Sequence, residues 1–233
     1  MKCAILAGGT GSRLGEQTQL KPKPMVEIGG RPILWHIMRH YDRYGVRDFA
    51  IALGHLGEVI RNYGFTEPGW TVRLVDTGEA TLTGGRIKRL APHLAGGAFF
   101  LTWGDGVSNV DLEALHAFHK SHGRLATLTA VHPPARFGHI ELDGDRVTEF
   151  SEKPQAREGW ISGAFFVLEP GVLDYIDGDQ TAFEHEPLSR LAREGQLMAF
   201  RHAGFWQCMD TPRDRVLLEK LWCEGAAPWK TWA

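Results

Sequence analysis

Short apolar runs alternate with stretches of helical period through the first half of the chain. Lys2–Ala7 is apolar and stopped by glycine, the pattern of a buried strand. Residues 8–24 are polar and glycine-rich, which makes them a loop. Pro32 then opens a helix that Gly45 closes. Asp48–Leu53 reads as the next strand and 56–63 as a helix. Thr71–Asp76 and Ala98–Trp103 are further strands. Asp111–His122 is a helix with Leu112, Leu115 and Phe118 on one stripe. Leu125–Val131 is another strand. Strands alternating with helices predict an α/β fold of Rossmann-like type, with a mostly parallel sheet flanked by helices. After about residue 133 the pattern changes. Gly138–Leu142, Arg146–Ser151 and Trp160–Leu168 are short strands joined by turns such as Asp143-Gly144-Asp145, which predicts a small β-rich lobe. Phe183–Glu194 and Arg213–Glu224 are helices, and the tail APWKTWA carries two tryptophans that predict docking on the body.

Composition narrows the partners. A chain of 233 residues with 43% hydrophobic content can bury one sizeable core. Its formal net charge of -2 advertises neither nucleic acid nor an anionic membrane. No run of apolar residues is long enough for a membrane span, and the N-terminal run is too short for a signal peptide. Cys3, Cys208 and Cys223 form no C-x-x-C pair, which predicts no structural zinc and suits a reducing cytoplasm.

In an open parallel sheet, ligands sit beyond the carboxyl ends of the strands. Two loops at such ends carry chemistry. The first is AGGTGSRLGEQTQLKPKPM. Its glycines do not make a dinucleotide fingerprint, because Leu14 stands where the third glycine belongs, and no Gly-Lys-Ser/Thr follows to make a P-loop. Backbone N–H groups around Gly8–Gly11, with Arg13 and Lys23, suit a polyphosphate, although a plain glycine turn has the same pattern. The second is Gly104-Asp105-Gly106. A carboxylate there suits Mg²⁺, which takes one or two carboxylates plus phosphate oxygens; a simple turn aspartate would look the same. Lys153 in Ser151-Glu152-Lys153-Pro154 could equally be a surface lysine. Asp210 before Thr211-Pro212 could equally cap a helix. His36 and His40, and the triplet His116, His119 and His122, have helical spacings that metal ligands use, but no further ligand accompanies them.

Taken in order, AILAGGTGSRL, KPKPM, GGRPIL, WGDG, SEKP and MDT resemble the signature of the sugar-1-phosphate nucleotidyltransferases. The stretches LVDTGEATLTGGRIKRL, RFGHIELDG, FWQCMDTPRD and APWKTW are similar to the cytidylyltransferase branch that uses glucose 1-phosphate. The resemblance covers nearly the whole chain and implies a reaction. A sugar 1-phosphate attacks the α-phosphorus of CTP in line, and pyrophosphate leaves. It implies CTP and a sugar 1-phosphate as partners, Mg²⁺ as cofactor, and a cytoplasmic homo-oligomer. It also implies one nucleotidyltransferase domain over 1–233, with 1–132 mainly nucleotide-binding, 133–210 mainly sugar-phosphate-binding and 211–233 a C-terminal helix and tail.

Residue roles follow the same resemblance. Leu6, Ala7, Gly8, Gly9, Thr10, Gly11, Ser12 and Arg13 would hold the nucleotide, with Gly104 beside them. Lys23 would offset charge at the α-phosphate. Asp105 and Asp210 would share the metal. The segment Asp76–Arg86 would face the base, through Gly78, Thr83, Gly84 and a contact of Arg86 with cytosine. Gly138, Glu152, Lys153, Ser162 and Gly163 would bind the sugar phosphate. Two departures from the family stand out. Residues 64–70 are shorter than the family's segment, and Ser162-Gly163-Ala164-Phe165-Phe166 replaces an Asn-Gly-Gly-Phe-Phe motif, which opens the sugar specificity. A uridylyl- or thymidylyltransferase, a cytidylyltransferase for another sugar, and a non-catalytic nucleotide-sugar-binding regulator are the alternatives.

Overall fold

The computed structural model describes residues 1–11, 14, 18, 20–134, 139–143, 145–151 and 159–232. In chain order the first half gives β1 (Lys2–Leu6), β2 (Glu27–Ile28), β3 (Arg31–Pro32), α1 (Ile33–Arg43), β4 (Asp48–Leu53), α2 (Gly57–Tyr63) and β5 (Thr71–Asp76). It continues through α3 (Thr83–Leu94), β6 (Phe99–Trp103), β7 (Gly106–Ser108), α4 (Leu112–His122) and β8 (Ala126–Val131). The second half gives β9 (His139–Asp143), β10 (Arg146–Ser151), β11 (Ile161–Leu168), α5 (Glu186–Arg193), β12 (Leu197–His202), β13 (Trp206–Cys208) and α6 (Pro212–Cys223).

Seven strands form the central sheet in the order β12-β8-β11-β6-β1-β4-β5. All neighbours are parallel except β11, which runs antiparallel between β6 and β8. The expected α/β class therefore holds. The β-rich second half is resolved into two parts: β11 and β12 complete the main sheet, and β9–β10 pair as a separate antiparallel hairpin.

Strand pleating divides the core. Ile5, Phe49, Ile51, Phe100, Phe165 and Val167 face one side, where α1, α4, α6 and the tail cover them. Ala4, Leu6, Ala50, Ala52, Leu101 and Phe166 face the other, under α3 and α5. Burial on both faces explains why β1, β4 and β6 read as continuous apolar runs. The tail docks as its tryptophans predict. Trp229 is fully buried, stacked on Phe205 and Trp222. No helix among the described residues is long and apolar enough to cross a membrane.

Besides the two- and three-residue strands β2, β3, β7 and β13, two longer elements differ from expectation. Residues 83–94 form a full helix, α3, where only a base-facing segment is expected, and Leu197–His202 forms an edge strand, β12, where none is expected. A local irregularity also lies in β11. Its pairing with β8 shifts register between Ser162 and Phe166, and Ala164 sits in the left-handed region at φ 57°. A Cβ is disfavoured there, although glycine loses more freedom on folding. Ala164→Gly is expected to raise stability by about 0.5 kcal/mol, read as a higher denaturant midpoint at unchanged slope. A drop of similar size would mean that the packing of the methyl group outweighs the strain.

Candidate active site

The loop after β1 and the Gly104-Asp105 turn after β6 meet at the carboxyl edge of the sheet, since β1 and β6 are adjacent. Between them lies a cavity of about 490 Å³. Leu6–Gly11, Lys23, Pro24, Arg86 and Trp103–Asp105 line it, together with residues 79–83 at the approach to α3. The volume suits a nucleotide-sized ligand.

Lys23 organises the polar end. It lies in a short helical turn, Lys23–Met25, that Pro22 and Pro24 rigidify. Its Nζ donates to Asp105 Oδ2 at 2.7 Å and to Asp210 Oδ1. Burial alone would lower the ammonium's pKa, but the two carboxylates, Asp105 foremost, reverse this and raise it. Lys23 is therefore a cation at neutral pH. Asp210 is free of the capping role that its sequence position allows: Thr211 caps α6, with Asp214 closing a capping box. Two carboxylates that converge on one cationic point, beside a cavity able to take phosphates, form the oxygen donor set a hard divalent cation uses. The chain's own residues thus fit such an ion.

The glycines separate by function. Gly9 has open space where a Cβ would stand, so its backbone leaves the cavity free for a close approach. A Cβ at Gly8 would lie 2.1 Å from Arg86 Nη1, and one at Gly54 would lie 2.4 Å from the same atom. These two glycines make room for a guanidinium. Arg86 is only 5% exposed, and burial lowers its pKa. Its Nη1 donates to Leu53 O (2.9 Å) and Thr77 Oγ1 (2.7 Å), and its Nη2 to Gly8 O and Glu79 O (3.1 Å each). Arg86 therefore clamps the ends of β1, β4 and β5.

This revises three expected base contacts. Arg86 lines the cavity, but its terminal donors are engaged by the protein, so it shapes the pocket rather than presenting a fork to cytosine. Gly84 lies outside the lining: its N–H donates to Thr181 O at 2.9 Å, and a Cβ there would lie 2.6 Å from that oxygen. Gly78 also lies outside the lining, with its N–H donating to Asp76 Oδ1. Thr83 does line the cavity. Sequence reasoning missed Trp103, Pro24 and Glu184. Glu184 accepts from Trp103 Nε1 at 3.1 Å and from Thr83 Oγ1 at 2.5 Å, tying two walls of the cavity together. Trp103 could have been found from its place beside Gly104-Asp105, but no local signal marks Glu184.

Ser162 and Gly163 lie on β11. Gly163 O accepts from Trp206 Nε1 at 2.8 Å, and Ser162 Oγ accepts from Ala164 N–H at 3.3 Å. Ser12, Arg13, Gly138, Glu152 and Lys153 lie outside the described residues. The histidines pair within the fold. His36 Nε2 bonds Ile28 O (2.8 Å), His40 Nδ1 bonds Thr231 Oγ1 (2.9 Å), and burial pushes both pKa values down to about 4. His119 and His122 share Thr127 Oγ1. Among the described residues no group of three or more histidine, cysteine, aspartate or glutamate side chains is placed to hold a metal.

The sequence pattern of the nucleotidyl transferases matches residues 2–211, and the chain belongs to that family. It is 51% identical to glucose-1-phosphate cytidylyltransferase of Salmonella typhi across the full length of both proteins. That alignment spans 257 positions against the 233 residues here, so the relative is longer. A probable glucose-1-phosphate cytidylyltransferase of Bacillus subtilis is 39% identical, again over the whole of both chains. Among solved structures, HddC from Yersinia pseudotuberculosis complexed with GMP-PN superposes with a TM-score of 0.75 at 23% identity. The match covers 95% of this chain and 99% of that one, and it supports the fold.

Proposed function

We propose that this chain transfers a cytidylyl group from CTP to α-D-glucose 1-phosphate, releasing CDP-glucose and pyrophosphate. The observation that carries the chemistry is the convergence of Lys23, Asp105 and Asp210 at one end of a nucleotide-sized cavity. The end-to-end identity with cytidylyltransferases supports the two substrates. Transfer of this kind asks the protein mainly for positioning and charge neutralisation, and no protein nucleophile is required. The Gly9–Gly11 backbone cradles the triphosphate. Lys23 draws charge from the phosphoryl oxygens as the sugar phosphate oxygen bonds to the α-phosphorus and the bond to pyrophosphate breaks. Asp105 and Asp210 would hold Mg²⁺, which would supply charge neutralisation at the phosphates. Glu152 and Lys153 bind the sugar phosphate, together with Gly138, Ser162 and Gly163.

In this reading 1–132 is mainly the nucleotide half, 133–210 mainly the sugar-phosphate half, and 211–233 the terminal helix and tail. The enzyme works as a homo-oligomer in the cytoplasm; its cysteines are free, as a reducing compartment requires. Pyrophosphate release with Mg²⁺ tests the reading, with CTP, UTP, dTTP, ATP and GTP each paired with a panel of sugar 1-phosphates. Turnover is expected to be greatest with CTP and glucose 1-phosphate. CTP turnover with a different sugar alone would relocate the specificity to residues 162–164, and silence with nucleotide still binding would favour a regulator.

A further inference from the structure

The hydrogen bonds around Thr83 have a fixed direction. A threonine hydroxyl has one proton and two acceptor lone pairs. The backbone N–H of Phe183 donates to Thr83 Oγ1 at 2.8 Å, which occupies one lone pair. The Thr83 proton goes to Glu184 Oε2, because an ionised carboxylate can only accept. The other carboxylate oxygen accepts from Trp103 Nε1, a donor-only group. Thr83 is left with one acceptor lone pair and no proton to offer the cavity it lines.

That polarity matters for the base. Lys23 and Asp105 take the phosphate end of the cavity, which leaves residues 79–83 for the base. Cytosine presents an N4 amino donor where uracil presents an O4 acceptor. We infer that Glu184 is a positioning residue that holds Thr83 as an acceptor-only hydroxyl, so that the site favours a base with an amino group over one with a keto group. This rests on the cytidylyl-transfer reading of the cavity. A matched lone pair accepts from N4, whereas an opposed pair would leave two acceptors facing each other.

Glu184→Gln makes the inference testable. The new amide has one acceptor oxygen and one donor nitrogen. Trp103 Nε1 can only donate, so the oxygen must face it and the nitrogen must face Thr83. Thr83 Oγ1 then receives two donors, and its own proton turns toward the ligand, where it complements uracil O4. Glu184 is exposed, so the variant is expected to fold, and thermal melting checks this. The ratio of kcat/KM for CTP to that for UTP is expected to fall by about tenfold or more, as the free-energy scale of a single opposed hydrogen bond implies. The CTP change should lie mainly in KM, and UTP turnover should rise in absolute terms. Thr83→Val removes the hydroxyl altogether, so it should weaken CTP without improving UTP. An equal loss for both nucleotides in Glu184→Gln would mean Glu184 only braces the wall, and the inference fails. An unchanged ratio in an active enzyme also defeats it. A wild-type enzyme silent with CTP defeats instead the reading on which it rests.

Discussion

Asp105→Ala is expected to lose at least about a thousandfold in kcat while still binding CTP, more weakly than the wild-type protein. The asymmetry follows from where the carboxylate sits. Asp105 and Asp210 both contact the Lys23 ammonium, so the pair fixes one cation in place and offers oxygens to a second. Without Asp105, the proposed cation site would keep one carboxylate, and Lys23 would lose the partner that holds its 2.7 Å contact. Both effects fall on the reacting phosphate. The loop backbone, Thr83 and Trp103 also line the cavity and, on the proposed reading, would still hold the nucleotide. Asp210→Ala should cost a similar factor, and the double variant little more than either single, because the two carboxylates act as one unit. Single-turnover pyrophosphate release and a separate CTP titration read the two quantities. A near-normal kcat for Asp105→Ala with Mg²⁺ present would falsify the metal assignment.

The sheet was largely legible in the sequence, and the reason is burial. Strands β1, β4 and β6 are covered on both faces, so each shows as an apolar run ended by glycine or a polar turn. Helix α3 was not legible. It begins Thr83-Gly84-Gly85, carries Pro92 inside, and has no side-chain cap. Its first turn is satisfied by the carbonyl of Thr181, close in space but far along the chain. Strand β12 was missed for a different reason: it lies at the sheet edge, half-exposed, with no clean alternation. The site divides in the same way. Lys23 and Asp105 are marked by local motifs at strand ends. Glu184 reaches Thr83 and Trp103 across 101 and 81 residues, and no local pattern encodes that. Gly8 was legible as a special position, but its purpose was not. Its missing side chain accommodates an arginine 78 residues away.

Arg86→Ala is expected to destabilise the fold by about 2–3 kcal/mol, the scale of leaving buried acceptors without their donor and a cavity where the guanidinium stood. The carbonyl of Glu79 and the hydroxyl oxygen of Thr77 would lose this donor, whereas Leu53 O would keep the N–H and hydroxyl of Thr77, and Gly8 O the N–H of His55. Lysine cannot replace it, because a single ammonium lacks the planar fork that reaches the ends of three strands at once. A contact with cytosine alone predicts a different result, a higher KM for CTP at unchanged denaturant midpoint. Gly8→Ala should resemble Arg86→Ala, because its Cβ would occupy the guanidinium's position. If the two residues serve one clamp, the double variant should cost much less than the sum of the singles, since the alanine methyl at position 8 fills space that the lost guanidinium has vacated. Additive losses would separate Gly8 from Arg86 and leave the glycine a role at the phosphates alone.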